Sequence, residues 1–583
     1  MKKSSRSDNA PLPSGPQDAP SVLIVGTGEG SLPLLRSLSP NTDALLLYGK
    51  GETTPQACGK CVAFDKNLRA FLHKKFPLSY KKRVHVVVNS GDGEENLRYC
   101  RQFAAFLQEQ ALPEKFLLSV FCESQKSEEL YLLEEQTGGR IRCVDRCEIS
   151  ALDLENRYPL TSFLGERELD LAQAALRAEV RMNVVLVGFG RQNRQVFLSC
   201  VSSDRFFSRT QAGVREHPVR YFCFDAREGK ESLADGFMRY AAFAEQIKGR
   251  EAEYLPLPPL PAELHFSKAQ APSQDFFCEL RAALQPKEGE IACNRVAVAV
   301  GSDEENLKTG RQIFEKLKEW DLQANTHVFV SARRATSPAE GLILFGKEET
   351  VYNFENICGG NALRMAWERH LAYTAEHNKG ASEEEVRAAA LSAWYGKGSK
   401  LSRDSSLYGC LSLRGKLHLF GFDYIEKESP LPDAGGEFYA AYTAGDAPRK
   451  AGKGADGRDV IEYRNADFAK DSPRRTVAML EHDRWNAFMI CRGYVPSSLQ
   501  QIREGRGKDA AERRHGNLTD FEGLVAYRSV ISGSRGIDEE KADVIRYDYQ
   551  LTDDCGRLLS ACGYKIVKRC PAADAAVRGE ETP

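Results

Sequence analysis

No apolar run in this sequence approaches the roughly 18–20 residues that a membrane-spanning helix needs; the longest are short strand-like stretches such as 44–47 and 183–188. An excess of one charge is missing too. The 80 Lys and Arg are offset by 82 Asp and Glu, a formal charge of −2, so the chain shows no electrostatic footprint for a nucleic acid backbone or an anionic membrane surface. The opening residues MKKSSRSDNAPLPSGPQDAP begin basic but hold no apolar core, and residues 1–20 read as a disordered tail and not as a signal peptide. A soluble, cytoplasmic protein with no nucleic acid partner is expected.

Catalytic signatures are absent as well. There is no P-loop, no HExxH and no nucleophile elbow, and the ten histidines are dispersed, so no general acid is nominated. The sixteen cysteines are scattered, several inside apolar strands (Cys100, Cys122, Cys200, Cys223) where a reduced thiol acts as a small hydrophobe. Two short-spaced pairs, Cys58/Cys61 and Cys143/Cys147, have the ligand type of a zinc site. The spacing of the second pair is unusual and more than 80 residues separate the two, so these are read as thiols and no metal is assigned.

What the chain does contain is a repeat. With 583 residues, 42% hydrophobic and 28% charged, it has the composition of a globular protein of three to five domains. The segment Arg83–Gln110 and the segment Arg295–Trp320 share a β-branched strand, a Gly/Ser/Asp turn, Glu-Glu-Asn-Leu and a helix with Arg-Gln at the same offset. Upstream of each, a strand runs into glycines: SVLIVGTGEG at 21–30 and NVVLVGFGRQN at 183–193. Downstream comes a further strand, at 116–124 and at 326–333. Strand, glycine turn, helix, strand, helix, strand is the sequence form of a doubly wound parallel sheet. The fold class expected is therefore α/β, two tandem doubly wound Rossmann-like parallel sheets (21–180 and 181–358). A mainly helical C-terminal module at 470–570 should follow, after a helical connecting region at 359–443 and a flexible Gly/Lys/Asp-rich linker at 444–469; 571–583 is a tail. Ser472-Pro473 supplies a cap and a first-turn proline for a helix reaching about Cys491.

A glycine turn between strand and helix lets backbone N–H groups approach a phosphate at the positive end of the helix. The first copy offers Gly26 and Gly28, the second Gly188 and Gly190, followed by Arg191 and Asn193. An acid at the end of the second strand would hold a ribose hydroxyl; Asp225 stands there in the second copy, and the first copy has none. The turns around 92–96 and 303–306, with Gly301 and Asp303, lie where ligands sit in such sheets, and their Asp and Asn also suit helix caps. On these residues the second copy is the better nucleotide site.

The two units resemble the ligand-binding domains of bacterial potassium transport and channel regulators, the TrkA-N or RCK type, over roughly 20–350. The resemblance implies binding of NAD(H), ATP or another adenine nucleotide, with dimerised units signalling to a partner such as a separately encoded membrane channel or transporter. In the C-terminal segment, Met479-Leu-Glu481-His482-Asp-Arg484-Trp485-Asn-Ala, Gly493-Tyr494, His515-Gly-Asn-Leu518 and a late Leu-x-x-x-Gly-Tyr at 559–564 resemble the RyR domain of ryanodine receptors. That implies a helical module binding a second ligand or a protein partner. Glu481, His482, Arg484 and Trp485 lie within about one and a half helical turns, where a tryptophan face beside an arginine suits base stacking and phosphate binding. Trp485 as a core anchor among salt-bridged neighbours is the other reading. The function expected is a non-catalytic nucleotide sensor, controlling ion transport or a nucleotide-signalled defence response; an NAD(P)-dependent oxidoreductase is the alternative.

Overall fold

The computed structural model describes residues 21–38, 42–49, 61–76, 84–109, 116–121, 127–137, 140–210, 213–227, 235–334, 340–358, 360–378, 380–396, 399–453, 459–462 and 472–569. The expected tails and Cys58 lie outside these residues.

Strands β1 (Ser21–Val25), β2 (Ala44–Gly49), β3 (Cys61–Phe64), β4 (Val84–Val88), β5 (Phe116–Phe121) and β6 (Ile141–Val144) build one parallel sheet in the order β3-β2-β1-β4-β5-β6. A second parallel sheet is built from β7 (Val180–Val187), β8 (Val219–Phe224), β9 (Glu263–Ser267), β10 (Ile291–Val298), β11 (Thr326–Ser331) and β12 (Leu342–Phe345). Its order is β9-β8-β7-β10-β11-β12. Counted within each sheet, both read 3-2-1-4-5-6, the order of a doubly wound sheet with a switch point between its first and fourth strands. The inner strands are covered on both faces, which is why β1 and β4, apolar but for Ser21 and His85, are buried along their length without alternation.

The helices that position the turns are α1 (Ser31–Arg36), α2 (Gly93–Gln108), α3 (Arg146–Arg157), α4 (Arg191–Ser203) and α5 (Asp303–Glu319). The repeated Glu-Glu-Asn-Leu has a structural explanation. Asp92 caps α2 and Ser302 forms a capping box with Glu305 at the start of α5. Asn96 accepts from Ser90 N–H at 2.8 Å and donates to the Phe121 carbonyl at 3.1 Å. Asn306 accepts from Val300 N–H at 2.7 Å and donates to the Ser331 carbonyl at 2.9 Å. In both sheets this buried amide ties the turn after the fourth strand to the end of the fifth.

The compact units do not follow chain order. One comprises residues 1–153 and 346–407, the other 154–345 and 408–583. The chain rejoins the first unit because Val351, Tyr352 and Ile357 enter the apolar cluster of Val22, Ile24, Val87 and Phe121. In the second unit, α6 (Lys400–His418) ends and α7 (Pro473–Cys491) begins under a Ser472 cap with Pro473 in its first turn. Strand Phe422–Glu426 pairs antiparallel with Tyr564–Lys568, so the last strand among the described residues finds its partner upstream of residue 470. Within the segment expected as a linker, Arg449–Lys453 and Asp459–Glu462 form an antiparallel pair, with Ile461 packed on the cluster around Ala478, Phe521 and Tyr549. Among the described residues, no helix is long and apolar enough to cross a membrane.

Candidate functional site

Crossovers leaving the two faces of a doubly wound sheet open a crevice at the carboxyl ends of its first and fourth strands. In the second sheet that edge is formed by the turn after β7 and the turn after β10. Gly188 has φ 80°, and a β-carbon there would lie 2.5 Å from the Ala299 carbonyl oxygen, so only glycine fits. Gly190 is different: it caps α4 with an ordinary φ of −81°, and a β-carbon there would meet nothing within 4 Å. The Asp225 carboxylate is held beside this turn, accepting from Phe189 N–H at 2.9 Å and from Arg227 N–H at 3.0 Å. Arg191, the first residue of α4, is exposed.

Other residues expected here are occupied by the fold. Asn193 is buried and its amide donates to the carbonyls of Val187, Gly188 and Ala297 at 3.0, 2.9 and 3.0 Å, pinning the glycine turn against β10. Asp303 accepts from the N–H groups of Arg333 and Arg334 at 2.9 and 2.8 Å, fixing the loop after β11. Gly301 lies tight against the Glu305 carboxylate. The structure thus gathers Gly188, Gly190, Arg191 and Asp225 at one edge, while Asn193, Gly301 and Asp303 support the turns around it.

The corresponding turn of the first sheet is filled with protein. Gly26 has φ 97° and packs against Asn89 and Ser90, Gly28 against the Asn89 side chain and Gly91, and Gly30 against the Tyr352 ring, 2.6 Å from a β-carbon placed there. The Asn89 amide donates to the Glu29 carbonyl across the turn.

The four C-terminal residues are mostly enclosed. Glu481 accepts from Arg484 through both oxygens at 2.9 Å and from Lys416 Nζ at 2.5 Å, all three side chains being buried. The void beside them, about 10 Å³ and lined by Asp204, Arg205, Lys416 and Arg484, has room for one water at most. His482 donates toward the Thr519 carbonyl at 2.9 Å and toward Asp548 at 3.3 Å. Burial opposes its charge, but Asp548, Asp483 and the Thr519 carbonyl outweigh that and raise its pKa above the ordinary value. His515 is pushed well below its ordinary value by burial, with Lys508 and His482 adding to the effect. The half-buried Trp485 ring lies 5.9 Å from the first imidazole and 5.0 Å from the second, between a ring that favours its proton and one that sheds it.

Sequence reasoning missed a charged cavity of about 90 Å³ within the first unit. Its acids are Glu134, Asp145, Glu148 and Asp404, its bases Arg142, Lys400 and Arg403. Burial, reinforced by Asp404, Asp145 and Glu134 against Lys400, raises the pKa of Glu148. No sequence spacing announces this group, because residues near 140 meet residues near 400 only through the fold. Cys143 and Cys147 are buried thiols, and among the described residues no three His, Cys, Asp or Glu side chains are gathered as metal ligands.

Comparison with protein-family models gives no match for this chain, and comparison with the curated proteins gives none either.

Proposed function

We propose that the chain is a non-catalytic nucleotide-sensing regulator whose second sheet holds NAD(H) or another adenine nucleotide at its carboxyl edge. One observation carries this reading: the open turn at Gly190 stands beside the Asp225 carboxylate, which is anchored to the turn itself by Phe189 N–H at 2.9 Å. In this reading the phosphates lie over Gly188–Gly190 at the start of α4, Arg191 adds a charge-assisted contact, and Asp225 receives a ribose hydroxyl. In the same reading the exposed Arg227 tolerates a ribose phosphate. The first sheet serves structure or dimer contacts.

The resemblance to TrkA-N or RCK domains and to the RyR domain supports the rest of the proposal. The C-terminal helices take a second ligand or a protein partner, and nucleotide binding shifts the balance between conformations that a channel, a transporter or a defence response reads out. Since Glu481, His482 and Arg484 are enclosed, the Trp485 face is the part of that group left to meet a partner.

Mass spectrometry of small molecules released on denaturing the full-length protein tests the proposal, followed by calorimetric titration with NAD⁺, NADH, ATP and AMP. An adenine nucleotide that co-purifies or binds without turnover is expected. Failure of all four to bind would overturn the reading, and cofactor turnover would replace it with the oxidoreductase.

A further inference from the structure

We propose that the charged cavity of the first unit binds a small organic cation, an alkylammonium or a guanidinium, whose charge is held by Glu148. The cavity lies between strands β4–β6, contributing His85, Ser119 and Cys143, and the helical segments that contribute Ile357, Trp394 and Lys400. Its volume of about 90 Å³ is well below the roughly 150 Å³ in which a benzene ring is accommodated. The occupant is therefore of the size of methylammonium or guanidinium.

Charge selects its sign. Four acids face the three cationic side chains and His85 in the lining, and three of the acids are engaged. Glu134 accepts from Cys143 N–H at 3.0 Å and pairs with Arg403 at 3.4 Å. Asp404 pairs with Lys400 at 3.0 Å. Asp145 caps α3, accepting from Cys147 N–H at 2.8 Å and Glu148 N–H at 3.4 Å. The Glu148 carboxylate has no hydrogen bond or ion pair among the described residues. It is the surplus acid of the cavity, half-buried with Lys400 as the base that acts on it through space, and a partly desolvated carboxylate is most stable as an anion with a directly bonded partner. A cation bound there balances the lining. An anion would compete with Asp404 and Glu134 for Lys400 and Arg403, and would be left with Arg142, which donates to the Ile357 carbonyl at 3.4 Å, while facing Glu148.

Trp394 lines the cavity and lies 5.4 Å from Trp367, so its fluorescence reports occupancy. Full-length protein is titrated with methylammonium, ethylammonium and guanidinium chlorides across the millimolar range, with sodium acetate and sodium chloride as controls. Saturable binding of at least one cation is expected, weakened roughly ten- to a hundredfold by Glu148→Gln, the worth of a hydrogen bond to a charged group, and less by Glu148→Asp. Melting temperatures of both variants show that each is folded; should Glu148→Gln fail to fold, Glu148→Asp carries the comparison. Equal affinity in the wild type and the variants, no saturable binding of any cation, or binding of acetate instead would overturn the proposal.

Discussion

The two glycine turns end the first strand of two sheets with the same strand order, and the backbone treats them alike. Gly26 N–H donates to the Leu47 carbonyl at 2.9 Å and Gly188 N–H to the Phe224 carbonyl at 2.8 Å; Asn89 and Ala299, the residues just after the fourth strands, donate to Val25 and Val187 at 2.8 and 2.9 Å. The difference is a side chain. Asn89 reaches over the first turn, bonds the Glu29 carbonyl and fills the space beside Gly28, while Ala299 at the matching place leaves Gly190 open. A glycine pair after a strand is therefore a permissive backbone and nothing more; the residue facing it from the neighbouring strand determines whether a ligand can approach.

The largest effect expected from probing this contrast is on stability. Gly188→Val adds a side chain at positive φ against the Ala299 carbonyl, and backbone strain with overpacking should cost about 3–5 kcal/mol, with Gly26→Val doing the same in the first unit. Urea unfolding measures both; a loss under about 1 kcal/mol would show that neither close approach requires glycine. For each of three largely buried histidines, acid should weaken the second unit nearly as much. Burial holds His217, His327 and His418 near a pKa of about 4, with Arg181 and Arg220, Arg295, and Arg569 and Arg414 respectively lowering them further, while Asp423 opposes this at His418. Their folded pKa lies below the unfolded value of about 6.5, so the stability they contribute is complete above that pH and is lost as pH falls from about 6.5 to 4. Each accounts for up to about 3 kcal/mol. Unfolding curves at neutral and acid pH should show this slope, and His418→Gln should flatten it; an unchanged slope would mean that the imidazole titrates normally.

Smaller effects address the ligand directly. Asp225→Asn should weaken nucleotide binding by roughly 1.5–3 kcal/mol, ten- to a hundredfold by calorimetry, and Ala299→Asn should weaken it comparably by closing the second turn as Asn89 closes the first. Full affinity in Ala299→Asn would break the comparison. The smallest change expected is in the folding stability of Gly190→Ala, within about 0.5 kcal/mol, because its φ is ordinary and its surroundings are open. Its nucleotide affinity should nonetheless fall, and an unchanged value would remove the phosphates from this turn.

Local signals were readable where neighbours in sequence are neighbours in space. Ser472-Pro473 marks the start of α7, and the strand pattern marks β4 within a residue, while β10 begins at Ile291, four residues before the Arg295 at which the repeat is read. The site was readable only in part. Gly188, Gly190 and Asp225 converge because β7, α4 and β8 of one βαβ unit bring them to the same edge, although an antiparallel pair at 206–210 and 213–217 intervenes in the chain between α4 and β8. Asn193 resembles a ligand residue by position but is turned inward by three carbonyls, and Glu481 and Arg484 read as an open helix face until Lys416, from a helix 65 residues earlier, closes over them.

Sequence alone determined the two parallel sheets, since a buried apolar strand, a glycine turn and an amphipathic helix are local patterns whose order constrains the crossovers. Tertiary structure alone decided which glycine turn stays open, through Asn89 and Ala299. It also returned residues 346–407 to the first unit and assembled the cavity of Glu148 and Lys400. Those outcomes depend on side chains that meet across long stretches of chain, and hydrophobic periodicity carries no record of which distant residue will lie opposite.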